Sequence, residues 1–162
     1  MPEQANPTLI VARRSPIHGT GVYARKRIAR GLRIIEYRGR RVPWAHVKDR
    51  ARAHTELFHV SATQVIDPRR GGNIARYINH SCAPNCEAFL EEGRVFVYAR
   101  RDIKPGEELF YDYMLVLGRR PTRADVLRHR CRCGTRRCRG TLLAIPPSRR
   151  KQAHRWAREL AA

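Results

Sequence analysis

Eight consecutive residues, Asn79 to Cys86 (NHSCAPNC), carry two amides, an imidazole, a hydroxyl and two thiols. Few core segments tolerate that density of polar groups. An unpartnered Asn or His costs roughly 1–3 kcal/mol to bury. The run is therefore either exposed loop or a segment whose groups have dedicated partners: a ligand, a metal or another stretch of chain. Further thiols downstream favour the second.

Five cysteines are present, and three of them are spaced as Cys131-x-Cys133-x4-Cys138. Residues Met1 to Pro7 lack the basic and apolar regions of a secretory signal. Clustered thiols in that setting point to a metal before disulfides. Three thiolates within eight residues can chelate one ion, and a closed structural zinc site takes four. The fourth must come from elsewhere, and the only other thiols are Cys82 and Cys86. Either one would tie the C-terminal segment to the polar run. Arg132, Arg136, Arg137 and Arg139, interleaved with these cysteines, offset the negative charge of a four-thiolate site.

The rest of the chain bounds the fold. Its 162 residues suit one domain with a short tail. Net charge is +20, almost all of it from Arg, with only Lys26, Lys48, Lys104 and Lys151 as lysines. Such a chain is drawn to polyanions, nucleic acid above all, although an Arg- and Ala-rich composition also follows from GC-rich coding. No apolar run approaches the roughly 20 residues of a membrane helix.

The pattern predicts many short strands. They are expected at Thr8 to Ala12, Val22 to Ala24, Leu32 to Tyr37, Leu57 to Val60, Gln64 to Asp67, a hairpin of Glu87 to Leu90 with Arg94 to Ala99, and Leu109 to Tyr113. Lys104-Pro105-Gly106-Glu107 reads as a type II turn. Asn73 reads as the cap of a short helical stretch, Asn73 to Ile78. Val42 to His54 is the candidate for a helix. Leu115 to Arg130 reads as loop with a helical turn near Arg123 to Leu127. Ser148 to Leu160 reads as a basic amphipathic helix with Ala153, Trp156, Ala157 and Leu160 on one face. The fold class is mainly β (α+β by count).

Tyr111 and Tyr113, at i and i+2 on a strand, point to the same side, and Tyr37 is a third candidate for that side. Such tyrosines either pack a core or form a narrow channel that suits an aliphatic chain with a basic tip, a lysine.

Six motifs, taken in order, resemble the SET-domain protein-lysine methyltransferases with a post-SET zinc motif. They are His18-Gly19-Thr20-Gly21, Glu36-Tyr37-x-Gly39, Arg76-Tyr77-Ile78-Asn79-His80-Ser81-Cys82-x-Pro84-Asn85, Gly106-Glu107-Glu108-Leu109, Tyr111-Asp112-Tyr113 and Cys131-x-Cys133-x4-Cys138. The resemblance implies a fold of short β-sheets with knot-like C-terminal threading and a zinc knuckle. Its segments would be a flexible 1–7, a SET domain at 8–117, a connecting loop at 118–130, a post-SET zinc segment at 131–147 and a basic tail at 148–162. It implies binding of S-adenosylmethionine by His18, Gly19, Thr20, Gly21, Asn79 and His80, with Arg76 supporting that pocket. It implies a catalytic Tyr113, a lysine channel lined by Tyr37 and Tyr111 with Phe58 a looser candidate, and one structural Zn²⁺ on Cys82, Cys131, Cys133 and Cys138. Cys86 is then a spare buried thiol.

The implied reaction is methyl transfer to a neutral lysine amine, stopping at one or two methyl groups because position 111 is Tyr. The implied partners are a histone tail or nucleoid-associated protein, with non-specific association of the Arg-rich surface with DNA, no membrane, and a monomeric state. No cysteine-rich segment precedes the SET core, which points to a compact bacterial member, acting in the cytoplasm on the nucleoid or secreted to act on host chromatin. Two departures stand out: Val42 to Gln64 matches nothing in the family closely, and Leu142 and Leu143 stand where some relatives place an aromatic over the cofactor. A basic, zinc-stabilised nucleic-acid module with a vestigial cofactor site is the competing reading.

Overall fold

The protein's structure, a computed structural model, describes residues 9–49 and 56–158. The chain divides into two compact units. The first comprises Met1–Ile78 and Asn85–Leu109, the second Asn79–Pro84 and Phe110–Ala162. The polar run Asn79–Pro84 is thus lent by one unit's sequence to the other.

The first unit is built from backbone ladders. β1 (Ile10–Arg14) and β2 (Thr20–Ala24) form an antiparallel hairpin. Its turn is closed by the Ser15 N–H donating to the Gly19 carbonyl at 2.8 Å. β3 (Arg33–Tyr37), β9 (Arg94–Ala99) and β8 (Cys86–Glu91) make an antiparallel sheet in the order β3-β9-β8. β4 (Arg40–Pro43), β6 (Gln64–Asp67) and β5 (Phe58–His59) make a second, in the order β4-β6-β5. The inward positions are β-branched or aliphatic. Val22, Ile28, Ile34, Ile35, Val65, Val95, Val97, Ile103 and Leu109 are all buried, and adjacent residues of β3, β6 and β9 are buried together, so these strands are covered on both faces. Cys86 is fully buried, as expected of a spare thiol.

Turn chemistry follows the sequence. Glu92 and Gly93 both take positive φ, 46° and 76°, between β8 and β9, the type I′ geometry that matches strand twist. Gly106 has φ 84°, and the Glu107 N–H donates to the Lys104 carbonyl at 3.1 Å, as a type II turn demands. The Asn73 side chain caps a 3-10 turn at Ile74–Tyr77 by accepting from the Ala75 N–H.

The helix expected over Val42 to His54 does not form across its described part. Val42 and Pro43 pair in β4 with Val65 and Gln64, and only a 3-10 turn, Trp44–His46, follows. Pro43 fixes an extended backbone (φ −60°, ψ 135°), so helix cannot begin upstream of Trp44. Residues 50–54 lie outside the described residues.

The second unit has almost no sheet. β7 (Asn79–His80) runs parallel to β10 (Phe110–Tyr111), with Asn79 opposite Phe110 and His80 opposite Tyr111. The stretch expected as connecting loop contains α1 (Arg123–Arg128), held by a capping box in which Thr122 and Asp125 serve each other's backbone N–H. The basic tail is folded. α2 (Arg150–Arg158) buries Ala153 and Ala157 with Val126, Leu143 and Ile145, while Leu115, Leu117 and Trp156 pack around them. Leu160, expected on the same face, lies outside the described residues. Gly140 lets α2 close on the cysteine segment, because a Cβ there would stand 2.5 Å from the Ala157 Cβ. Among the described residues no helix is long and apolar enough to cross a membrane.

Candidate active site

The first unit carries the loop His18 to Gly21. His18, Gly19 and Thr20 are exposed, and Gly19 adopts φ 46° with nothing within 4 Å of its missing Cβ. The sequence suggests that both glycines open the backbone to a ligand. The structure gives Gly21 a different reason. A Cβ on Gly21 would lie 2.1 Å from Oε1 of Glu108. That carboxylate accepts from the Ser15 hydroxyl and the Tyr23 hydroxyl, each at 3.0 Å. Burial, and then this carboxylate, raise the Tyr23 phenol above its ordinary value. The backbone of Glu108 meanwhile accepts the Asn85 side-chain amide at 2.8 Å. Glu108 thus explains two members of the motif set at once. It was legible as part of Gly106-Glu107-Glu108-Leu109, but its role was not.

Tyr37 is 2% exposed, and its hydroxyl donates to the Glu56 carbonyl. Its ring lies 5.2 Å from that of Phe58. Next to it, Glu36 takes a fork from Arg94 (3.0 and 2.7 Å) and a third bond from Arg38 at 3.0 Å, and Arg94 foremost holds its carboxyl below the ordinary range. Arg76 pairs with Glu56 at 2.7 Å and lies over the Tyr77 ring, so its guanidinium braces the chain around residue 56.

The second unit, taken by itself, carries Asn79, His80, Tyr111, Tyr113 and four cysteines. The parallel pairing of β7 with β10 sets His80 beside the Tyr111–Tyr113 segment. The Tyr113 N–H donates to His80 Nδ1 at 3.1 Å, and the two rings meet edge to face at 5.4 Å. An Nδ1 that accepts leaves the ring proton on Nε2, which lies 3.3 Å from the Cys82 sulfur and donates to it. One buried imidazole therefore ties Tyr113 to a thiol. The Tyr111 ring is 5.0 Å from Tyr113 and 7% exposed. After Tyr113 the chain turns sharply at Met114, φ 46°, where its N–H donates to Asp112 at 3.2 Å.

Asp112 lies against the same imidazole, its Oδ1 3.5 Å from His80 Nδ1. Arg139 grips it with both terminal nitrogens, Nη2 to Oδ1 at 2.8 Å. Burial works to raise the Asp112 carboxyl, but Arg139's bonds and charge win and hold it below its ordinary value. The Arg139 backbone N–H donates to the Cys82 sulfur at 3.3 Å. Two groups next to Tyr113 are thus anchored on the same sulfur: His80 through its ring, Asp112 through Arg139. Sequence reading treated Arg139 only as compensating charge. The signal for the pair was an acid between two tyrosines and an Arg directly after the last cysteine.

The sulfurs of Cys82, Cys131, Cys133 and Cys138 all lie within 4.8 Å of one another. Tetrahedral zinc with Zn–S bonds near 2.3 Å sets sulfurs about 3.8 Å apart, and Cys82 to Cys131 is 3.8 Å. Each sulfur also meets a hydrogen-bonding group. Backbone N–H groups of Arg139, Cys133 and Gly140 reach Cys82, Cys131 and Cys138 at 3.3 to 3.4 Å, and the Thr135 hydroxyl reaches Cys133 at 3.3 Å. The Cys82 thiol is held well below its ordinary value, at about 3, by Cys131 first and then by His80 and the Arg139 N–H. Four convergent sulfurs and a ring of donors fit one structural zinc ion. Of the two thiols left open by spacing, Cys82 is the one that joins.

A model of the SET domain matches residues 19–114, more than half of the chain, and the chain belongs to that family. It is 39% identical over 140 residues to the histone-lysine N-methyltransferase set-2 of Caenorhabditis elegans, covering 80% of this chain and 9% of that protein. It is 40% identical over 140 residues to the H3 lysine-4 specific histone-lysine N-methyltransferase of Saccharomyces cerevisiae, covering 80% and 13%. Among solved structures it resembles a chain of a humanized mutant of the Chaetomium thermophilum Polycomb Repressive Complex 2 bound to the inhibitor GSK126. That likeness has 31% identity and a TM-score of 0.58, over 64% of this chain and 14% of the other. This chain spans only about a tenth of the length of the curated relatives quoted.

Proposed function

We propose that this chain is an S-adenosylmethionine-dependent protein-lysine N-methyltransferase that adds one or two methyl groups to a lysine of a histone or another DNA-associated protein. The observation that carries the reading is the seating of Tyr113: its backbone is held by His80 and its neighbour Asp112 by Arg139, with the Tyr111 ring 5.0 Å away. Nothing in a purely structural zinc knuckle asks for a tyrosine pair so fixed. The relatives named as histone-lysine N-methyltransferases support the same reading.

S-adenosylmethionine, when bound, supplies a methyl group on a sulfonium. We assign its binding to the exposed His18, Gly19 and Thr20, to Asn79, and to Arg76 and His80 as residues that position their neighbours. Gly21 belongs to the same loop but serves it by admitting Glu108. The chain's own task in the reaction is placement. A lysine amine has a reference pKa near about 10.4 and must be neutral to react. Walls of aromatic ring disfavour the charged form by desolvation. Tyr37 offers ring rather than proton, since its hydroxyl already donates to the Glu56 carbonyl. Tyr113 is assigned the hydroxyl that orients the amine, and Tyr111 the one that limits added methyls. One zinc ion on Cys82, Cys131, Cys133 and Cys138 holds the segment that carries Arg139. The site of action is the nucleoid of the chain's own cell, or chromatin reached after secretion.

A radiolabelled methyl-transfer assay on free histones, nucleosomes and cell lysate tests the proposal. The wild-type chain is expected to label a lysine-containing band. Tyr113→Phe is expected to reduce kcat by roughly 100-fold, the usual weight of one positioned proton-bearing group, with KM within a few-fold and zinc content unchanged. Absence of transfer to every protein offered, from a zinc-loaded chain, rejects the enzyme.

A further inference from the structure

The charge of this chain is not spread evenly. The second unit carries 14 Lys and Arg against 3 Asp and Glu in 59 residues, a net +11, whereas the first carries 20 against 11 in 103 residues, a net +9. A composition bias acting on the whole gene would not strip acids from one unit and leave them in the other. Moreover, the second unit's described acids are already taken. Asp112 is clasped by Arg139, and Asp125, 5% exposed at its side chain, is clasped by Arg119 with bonds of 2.6 and 2.8 Å. The third acid, Glu159, lies outside the described residues. Among the described residues, this unit's surface presents cations with no uncommitted carboxylate between them.

The cations are also arranged. On α2, Lys151, Arg155 and Arg158 stand at i, i+4 and i+7 and are exposed, while Ala153 and Ala157 are buried on the opposite side. That is one straight stripe, about 10 Å long at 1.5 Å per residue. The helix is not a loose tail. Ala157 seats over Gly140, two residues from the last cysteine, so α2 and the cysteine segment form one piece. Arg132, Arg136 and Arg137 are exposed on that segment. Like charges held this close repel, and a fold keeps such a field only at a cost in stability.

We infer that the α2 stripe, with the exposed arginines of the zinc segment, is a docking surface for the phosphate backbone of duplex DNA. Arginine suits this partner because its planar fork matches phosphate oxygens. The recognition is of backbone, not bases: the stripe offers only cations and no Asn or Gln facing outward among them to read base edges. The surface deepens the proposed function, on which it rests for its purpose: a domain anchored on DNA meets substrates that are themselves on DNA. It also answers how a chain of net charge +20 approaches a basic tail, since the DNA phosphates neutralise the surface first.

The test is fluorescence anisotropy of the full zinc-loaded chain on short duplexes of two unrelated sequences, across a series of salt concentrations. It involves no methyl transfer, so it fails independently of the enzyme assignment. The triple variant Lys151→Gln, Arg155→Gln, Arg158→Gln removes the stripe with a good helix former. Its melting temperature and zinc content are checked alongside. The control triple Arg25→Gln, Lys26→Gln, Lys104→Gln removes the same charge from exposed positions of the first unit. Each lost phosphate contact lowers the salt slope by about 0.9, so the stripe variant should lose roughly 2 to 3 from the slope and about tenfold or more in affinity, equally on both duplexes. The control should lose much less. Equal losses in the two triples would reduce the binding to bulk net charge and overturn the localised surface. Competition by poly-glutamate as effective as duplex DNA would overturn the choice of partner in favour of an acidic polypeptide. Unchanged binding by a folded stripe variant overturns the inference outright.

Discussion

The two units hold their functional residues by different physics. In the first, the loop His18 to Gly21 and Tyr37 sit on strands whose backbone ladders and aliphatic core would stand without any one side chain. Among the described residues of the second, the strand ladder is two residues long beside two isolated bridges, and the core is five apolar side chains. What fixes Tyr111 and Tyr113 there is a set of side-chain devices: the sulfur cluster, the His80 imidazole and the Asp112–Arg139 clasp. A ladder degrades gradually. A device made of a few groups fails when one of them is removed. The catalytic assignments therefore rest on the unit with the least redundancy.

Metal removal separates the two most sharply. Structural zinc is worth on the order of 10 kcal/mol to a small domain. A chelator strong enough to extract it should abolish hydrogen-exchange protection of the Cys131, Leu115 and Ala144 amides, which are bonded only within the second unit. Amides paired between β3, β9 and β8 should stay protected. Simultaneous loss in both units would show that they are one cooperative body and dissolve the contrast.

The converse break lies at Gly21. Gly21→Ala forces the Glu108 carboxylate off Ser15 and Tyr23, two bonds to a charged group at about 1.5 kcal/mol or more each, so a loss of about 3 kcal/mol is expected in the first unit. The thermal midpoint and cofactor affinity should fall while zinc stoichiometry stays at one. Loss of zinc in this variant would contradict the separation.

Asp125 gives a smaller and pH-dependent effect in the second unit. It accepts from both Arg119 nitrogens, from the Thr122 N–H and from the Thr122 hydroxyl. Arg119 foremost holds its carboxyl far below the ordinary 3.8. Because the folded value is depressed, the stabilisation is complete above the unfolded value and is lost as the pH falls beneath it. Asp125→Asn should cost about 2 kcal/mol at neutral pH, the scale of a lost cap with its ion pair. The gap between variant and wild type in chemical denaturation should close as the pH drops below about 4. A gap that persists in acid would assign the cost to packing.

These contrasts also mark what was legible in the sequence. The contiguous motifs were readable because each concentrates several chemistry-bearing residues in a few positions, and so Cys82, His80 and Tyr113 could be assigned before their geometry was known. The strands that were expected form to within about two residues, because β-branched and aromatic runs bounded by turn residues mark them, whereas β4 and β7 were not read. What could not be read were pairings across sequence: Arg139 with Asp112, Glu108 with Gly21, His80 with the Tyr113 backbone. Each joins ordinary residues separated by tens of positions, and nothing in local composition selects one Arg among so many. The helix expected over Val42 to His54 failed for a local reason instead. Trp44, Val47 and Ala51 share a helical spacing, but Pro43 and the pairing of β4 with β6 claim its first turn. The helical turn expected near Arg123 to Leu127 forms as α1, Arg123–Arg128, and the capping box Thr122-x-x-Asp125 is the local signal that fixes its start.

Tyr111 gives the mildest expected effect and the sharpest test of the role proposed for the tyrosine pair of the second unit. Its backbone is fixed by pairing with His80, and its ring lies 5.0 Å from Tyr113 at 43°. Phenylalanine keeps the ring and therefore the wall, and β10 has no reason to move. What is lost is one hydroxyl, with the volume and the hydrogen bond it contributes. A lysine amine that already carries methyl groups needs that room and has fewer protons to donate, so the deletion favours the later transfers over the first. Tyr111→Phe should leave the first methyl transfer within about twofold, well under the 1.4 kcal/mol that corresponds to tenfold. Mass spectrometry of a product peptide should show the distribution move from mono- and dimethyl-lysine towards trimethyl-lysine. A wild-type chain that accumulates chiefly trimethyl-lysine, or a variant whose distribution does not move, would remove Tyr111 from that role. Tyr113 would then be the only hydroxyl of the pair with a catalytic assignment.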